Sequence, residues 1–386
     1  MGAMSEAAGG GAGAGAAQRG PPRAGARSMR TIAARQEEHA YEVRVGAGVT
    51  GALSELARGR DCVALVSCAR VLATPFGSRA ARALERGGNL ALVHSLPDAE
   101  RGKTLAVLER AASRLLRAGA TRRSLVVALG GGAVTDAAGF LAATFMRGVA
   151  WAAVPTTLLG MVDAALGGKT AVNLPLAKNA VGAFHPPVAV LADPAALATL
   201  PPRELRSGFG EVLKYALLRP ALLRGTAAAA RAGRAPASLV ADCAEIKVDV
   251  VARDPKERGE RKLLNLGHTF GHGVEAAGGF ARYTHGEAVA VGLAFAFRLA
   301  RVMGRVDGEA VAAAEEAIEA AGLPVRVPRN IARQARRLMG YDKKRTAGGL
   351  MWVLPRGRAG SWTVEWDVAA DSRAVDETVK EIGETR

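Results

Sequence analysis

Through the first half of the chain, short apolar runs alternate with helical stretches. Residues 63–66, 90–93, 125–129, 151–154 and 188–191 read as strands, and patterns such as 105–118, apolar every three or four positions, stand between them. This is the rhythm of a parallel sheet with crossover helices. Beyond about Pro202 the strand signals vanish, and the pattern predicts helices near 204–218, 236–252, 264–277, 286–303 and 309–321. Two late runs, 350–354 and 362–366, separated by PRGRAGS, predict a hairpin. No internal repeat is visible.

Residues 1–35 are Gly, Ala, Arg and Ser with almost no large apolar side chain, so they cannot bury enough surface to offset their ordering entropy and are expected to be a disordered tail. The remainder divides into an α/β domain over 36–200 and a mostly helical domain with a late β-hairpin over 201–386. An apolar content of 49% supplies a core for both. No apolar run approaches the roughly 20 residues that span a bilayer, and no secretory signal core is present, so a cytoplasmic enzyme is the expectation.

Cys62, Cys68 and Cys243 form no Cys-x-x-Cys pair and read as reduced thiols. The net charge of +16 raises the question of nucleic acid. The arginines are scattered, however, and only 4% of residues are aromatic, so an anionic small substrate accounts for the charge and neither nucleic acid nor membrane is expected as a partner.

Three of the six histidines, His268, His272 and His285, fall in NLGHTFGHGVEAAGGFARYTHGEAVAVG. Imidazole is the commonest protein metal ligand and titrates near neutral pH, so the crowding marks chemistry. His268 and His272, four apart, share one face of a helix. Upstream, Glu211 lies among apolar neighbours. It needs a partner, which is either Lys214, three residues on, or a metal ion held together with two imidazoles. Spacing alone leaves open which two of the three histidines bind.

The 125–129 run ends in Gly130-Gly131-Gly132, a turn through which backbone can approach a pyrophosphate at a helix N-terminus, although the spacing is not G-x-G-x-x-G. Thr156-Thr157 after the next strand adds hydroxyls at the same sheet edge. Asp163 and Lys169 flank a Gly-Gly turn and are followed by Lys178-Asn179. They read either as a salt bridge and a solvated loop or as a cradle for phosphate or carboxylate.

Taken together, GGGAVTDAAGFLAATFMRG, VPTTLLGMVDAALGGKTAVN, KNAVGAFHPP, LPPRELRSGFGEVLKYALL, ERKLLNLGHTFGH, THGEAVAVG and MGYDKK resemble the 3-dehydroquinate synthase family over about residues 40–370. The resemblance implies an α/β N-terminal nucleotide-binding domain with a Rossmann-like parallel sheet, a mostly α-helical C-terminal domain, a cleft between them and a homodimer. It implies NAD and one divalent metal, zinc by expectation and cobalt as the other candidate. The implied reaction is lyase chemistry of the shikimate route: 3-deoxy-D-arabino-heptulosonate 7-phosphate gives 3-dehydroquinate and phosphate by transient oxidation, β-elimination, re-reduction and aldol closure.

By that resemblance the metal ligands are Glu211, His268 and His285, and His272 is left for proton transfer or phosphate contact. Lys169, Asn179, Lys247, Arg261, Asn265 and one of Lys343-Lys344 match substrate-holding residues. Lys214 and Asp163 match active-site residues, and Arg147 matches an arginine that reaches the neighbouring subunit's site. Matching NAD-binding positions are Pro97-Asp98-Ala99-Glu100 to Lys103, Gly131, Gly132, Asp136, Thr156, Thr157, Asp163, Lys169, Lys178 and Thr199. One stretch departs: where the family carries a pattern like Thr-Asp-x-Asn-Val at the adenosine end, this chain has Ser67-Cys68-Ala69-Arg70-Val71, and Arg70 is suited to an extra phosphate.

Cyclases of neutral sugar phosphates lack a carboxylate for Arg261 to hold, which leaves amino-dehydroquinate synthase as the close rival. Metal-dependent polyol dehydrogenases share the two-domain plan but release NADH and have no need of Lys169, Asn179 and Arg261.

Overall fold

A computed structural model of the chain describes residues 29–339, 345–346 and 349–384. In chain order its first half contains β1 (Arg30–Gln36), β2 (His39–Val45), α1 (Leu53–Ala57), β3 (Val63–Cys68), α2 (Ala69–Leu72), α3 (Pro75–Gly87), β4 (Leu90–Leu96), α4 (Leu105–Arg117), β5 (Leu125–Gly130), α5 (Gly132–Thr144), β6 (Ala150–Pro155), β7 (Lys169–Leu174), β8 (Ala177–Phe184) and β9 (Ala189–Ala192). The five expected strands are β3, β4, β5, β6 and β9. β3, β5 and β9 are buried along their whole length, as unbroken apolar runs in a parallel sheet should be. They lie in a seven-stranded sheet of order β1-β2-β9-β6-β5-β3-β4, parallel except for the β1–β2 edge.

The tail expected to reach residue 35 ends sooner, because β1 begins at Arg30. Ile32 and Ala34 point inward and alternate with exposed Thr31, Ala33 and Arg35, and Arg30 pairs with Asp242 and Glu245. Residues 1–28 lie outside the described residues. A second departure is the β7–β8 antiparallel hairpin, which the sequence reading leaves as turn and loop. The chain leaves β3 outward to β4 and returns on the other side to β5. The carboxyl ends of β3 and β5 therefore flank a switch point, where open α/β sheets bind ligands.

The second half contains α6 (Pro202–Leu218), α7 (Leu223–Arg231), α8 (Ala237–Arg253), α9 (His268–Ala277), α10 (His285–Val302), α11 (Gly308–Ala320), β10 (Val327–Pro328), α12 (Arg329–Leu338), β11 (Arg345–Thr346), β12 (Gly349–Arg356), β13 (Thr363–Ala369), α13 (Ser372–Ile382) and β14 (Gly383–Glu384). α10 is apolar nearly all round and is accordingly the central buried helix. Phe295 on α10 stacks on Phe270 of α9, with centroids 4.1 Å apart, and on Trp352 of the expected late hairpin β12–β13. The helix expected over 264–277 is two pieces: a short 3-10 turn, Glu260–Asn265, and then α9. Gly267 divides them in a left-handed conformation (φ 79°), so His268 opens a new helix instead of continuing an old one.

Candidate active site

A cleft of about 1200 Å³ runs from the sheet's switch point to the helices. Among the described residues it is lined by the predicted site residues, with Glu211, Arg147 and the Pro97, Arg101 and Gly102 positions of the 97–103 stretch as exceptions. Arg147 is exposed on the short turn Phe145–Arg147 with a left-handed backbone (φ 67°), and Lys343 and Lys344 lie outside the described residues.

At the sheet end, Gly131 caps α5, and a Cβ there would lie 2.9 Å from Thr157 Cγ2, so only glycine lets the turn pack against the threonine pair. The N-terminus of α5, through Val134, lines the cleft and turns the positive end of the helix dipole toward it. Buried Lys103 donates to Asp136 at 2.7 Å and to Asn179 at 2.6 Å, and Glu100 accepts from Asn173 at 2.6 Å. This network ties the β7–β8 hairpin to the floor of the cleft. At the departing stretch, Cys68 and Arg70 both line the cleft, and Arg70 sits 3.5 Å from the carboxylate of Asp98.

At the helical end, Glu211, His268 and His285 offer three ligand atoms within 4.8 Å of one another. Glycines bring their helices together. A Cβ on Gly210 would lie 2.5 Å from the Gly286 carbonyl oxygen, and one on Gly292 would lie 1.8 Å from that of Gly267. Without side chains between them, α6, α9 and α10 approach backbone to backbone, which sets Glu211 against His285 and His268. Glu211 meets protein partners on both oxygens: Oε2 is 2.5 Å from Lys214 Nζ, while Oε1 faces His285 Nε2 at 3.0 Å and His268 Nε2 at 3.3 Å.

The protonation of these rings tests the fit of a cation. His268 Nδ1 is 3.1 Å from the Leu266 carbonyl oxygen, which can only accept, so the ring's hydrogen is on Nδ1. Burial outweighs Glu211 and lowers the His268 pKa to about 4, leaving the ring neutral at pH 7. Its Nε2 lone pair therefore meets the Glu211 carboxylate acceptor to acceptor, an arrangement that calls for a cation between them. At His285, burial opposes the charge, but Glu211 and Glu275 overcome it and raise the pKa to about 10. One carboxylate and two imidazoles fit zinc or cobalt. His272, one turn along α9, has its ring centroid 5.5 Å from that of His268 and is not part of this group.

Between the two ends, Asp163 gathers cations. Its partner is not Lys169, which pairs with Glu257 instead. Its Oδ1 lies 3.1 Å from Lys214, 3.0 Å from Lys247 and 2.6 Å from the Tyr215 hydroxyl. Burial favours the neutral acid, but the two ammonium groups win and hold Asp163 well below the usual carboxylate range. Lys247 also donates to the Asp163 carbonyl oxygen at 2.6 Å. Burial lowers its pKa to about 8 against the pull of Asp163. Arg261, 2% exposed, donates to the carbonyl oxygens of Gly167 and Pro255. A Cβ on Gly167 would come within 2.8 Å of the guanidinium, so the Gly-Gly turn makes room for it.

Sequence reasoning missed Tyr215, Glu257 and Glu275. Glu257 pairs with Lys169 and accepts from Asn265 at 2.6 Å, and Glu275 lies 3.3 Å from His285 Nδ1. Glu275 was findable, because it stands seven residues after His268 on the same helix face. Glu257 was not: it sits in a loop with a left-handed backbone (φ 58°), where no periodicity operates.

Two family models, described as 3-dehydroquinate synthase N-terminal and C-terminal, match residues 93–207 and 208–345. A 3-dehydroquinate synthase of Xylella fastidiosa (strain M23) is 47% identical over 277 residues, which take in 69% of this chain and 75% of that protein. Among solved structures, a 2-deoxy-scyllo-inosose synthase complexed with carbaglucose-6-phosphate, NAD+ and Co2+ superposes with a TM-score of 0.79 at 27% identity, covering 91% of this chain and 100% of that one. A 2-epi-5-epi-valiolone synthase from Streptomyces hygroscopicus, with NAD+ and Zn2+ bound, gives 0.79 at 26% identity, covering 90% and 98%.

Proposed function

Because the chain belongs to the 3-dehydroquinate synthase family, we propose how its cleft divides the work of turning 3-deoxy-D-arabino-heptulosonate 7-phosphate into 3-dehydroquinate and phosphate. The observation that carries this reading is the meeting of Glu211 Oε1 with two imidazole nitrogens beside a carboxylate-anchored pair of lysines. Glu211, His268 and His285 would hold the divalent ion. NAD would be held by the first-half wall, through Glu100, Lys103, Gly131, Gly132, Asp136, Thr156, Thr157, Lys178 and Thr199. When bound, the two groups supply Lewis acidity toward substrate oxygens and reversible redox chemistry at one ring carbon.

The chain's own residues bind and orient. Arg261 and Asn265 face the substrate carboxylate, and Lys169, Asn179 and Lys247 face its phosphate and hydroxyls. Asp163 keeps Lys214 protonated, since its charge and that of Glu211 outweigh burial and raise the Lys214 pKa. Tyr215 donates its hydroxyl to the same carboxylate and so fixes the side chain on which both lysines rest. His272, exposed on the cleft wall, is placed to carry a proton to or from the substrate.

The division near residue 200 sets the cofactor contacts on the first side and the metal ligands on the second, with substrate contacts from both. We assign the enzyme to the cytoplasm as a homodimer in which Arg147, outside its own chain's cleft, reaches the partner's; a monomeric mass in gel filtration would remove that role. Among the described residues no helix is long and apolar enough to cross a membrane. Phosphate release from the heptulosonate phosphate, with and without a chelator and added NAD, tests the whole reading. Release that ignores the chelator, or NADH that accumulates with turnover, would overturn it.

A further inference from the structure

Two of the three metal-ligating residues are held by groups whose hold is plain. Glu211 is fully buried on α6, and His268 is tied through Nδ1 to the backbone at Leu266. His285 is different. It is the first residue of α10, its side chain is 33% exposed, and among the described residues no backbone carbonyl receives its Nδ1. What faces Nδ1 instead is the carboxylate of Glu275, at 3.3 Å.

We propose that Glu275 is the positioning residue for His285: it accepts the Nδ1 hydrogen and so aims Nε2 and its lone pair at the metal position. The proposal rests on the reading of Glu211, His268 and His285 as a metal site. Glu275 is not one of the ligand atoms clustered there, so it acts through the imidazole and not on the ion. A carboxylate behind a ligating histidine fixes the tautomer, holds the ring plane and raises the basicity of the other nitrogen.

The surroundings of Glu275 suit that task. It is 8% exposed, so its carboxylate is largely withdrawn from solvent. It sits seven residues after His268 on α9, and the same helix therefore supplies one ligand and the support for another. Its second oxygen lies 3.7 Å from Lys178 Nζ, and that ammonium rests over the Phe280 ring at 4.3 Å. The carboxylate is thus balanced from the β7–β8 hairpin as well as from His285. The start of α10 is fixed by a capping box between Thr284 and Glu287, so the backbone of His285 is set and only its ring needs direction.

The test is metal affinity, read without turnover. Metal-stripped protein competes with a chromophoric chelator for Zn2+, and Co2+ is added separately for its visible spectrum. Glu275→Ala is expected to weaken Zn2+ binding by about 10- to 100-fold and to alter the Co2+ spectrum. Glu275→Gln, which keeps an acceptor oxygen but not the charge, is expected to lose less and decides the matter if the alanine variant does not fold. In a His285→Ala background the Glu275 substitutions should add no further loss, whereas a merely structural glutamate would add its own. Folded variants with wild-type affinity and spectrum would overturn the role of Glu275 while leaving the metal site intact. A wild-type chain that takes up neither ion would overturn the metal site and this role with it.

Discussion

Gly210 on α6 and Gly286 on α10 touch through bare backbone, with room for no Cβ on either: one on Gly286 would fall 1.7 Å from the Ser207 carbonyl oxygen. Their chain neighbours are Glu211 and His285, so this contact sets the spacing of two of the proposed metal ligands. Gly286→Ala is expected to destabilise the fold by about 1–3 kcal/mol through overpacking and to weaken metal binding at the same time. Urea denaturation of the metal-free protein and Zn2+ competition check the two effects separately. A variant as stable as the parent would show that the helices can part without cost.

His268→Ala should lose metal and activity together, while His272→Ala should keep the metal and slow turnover. Metal content by elemental analysis, set beside initial rates, distinguishes them. An empty His272→Ala protein and a full His268→Ala protein would reverse the assignment.

Arg261→Ala should raise the Michaelis constant by roughly one to two powers of ten, the worth of a charged hydrogen bond of about 1.5 to 3 kcal/mol. Because the guanidinium also supports the Gly167 carbonyl oxygen, the variant's melting temperature must be measured alongside. An unchanged constant in a folded variant would remove Arg261 from carboxylate binding.

Lys247 sets a pH window. Its pKa, lowered from 10.5 to about 8 by burial, means that it carries charge below pH 8 and loses it above. Substrate affinity is expected to fall as pH rises through about 8 and to stay level in Lys247→Arg. Asp163 raises this pKa, so Asp163→Asn should move the break to lower pH. Between about 8 and 10.5 the unfolded chain binds more protons at this site than the folded one, so this group alone makes stability rise with pH across that window. A flat profile of the Michaelis constant from pH 6 to 10 would contradict the assignment.

The parallel core was legible because β3, β5, β6 and β9 are nearly unbroken apolar runs, and the helical half because its apolar residues recur at helical spacing. β1 escaped notice because only small or short-run apolar residues alternate there with Arg and Gln, next to a tail of similar composition. The break at Gly267 was hidden by the apolar residues on both sides of it, although a glycine before His268 was a fair helix-start signal. Of the candidate site, residue types and spacing revealed the histidine cluster and Glu211, but pairings across long stretches of sequence were beyond reach. Asp163 with Lys214 and Lys247, and Lys169 with Glu257, meet only once the chain has folded.

Glu257 already occupies Lys169 and Asn265, and its carboxylate is held ionised because Lys169 outweighs the effect of burial. Any anion that takes those two partners does so as an exchange, one internal counter-ion released for one guest received. The net attraction is then a difference between two similar contacts and not the full pull of an uncovered cation. A doubly charged guest can be held there in good register, and its product let go, without the depth of trap that the local positive charge alone would dig.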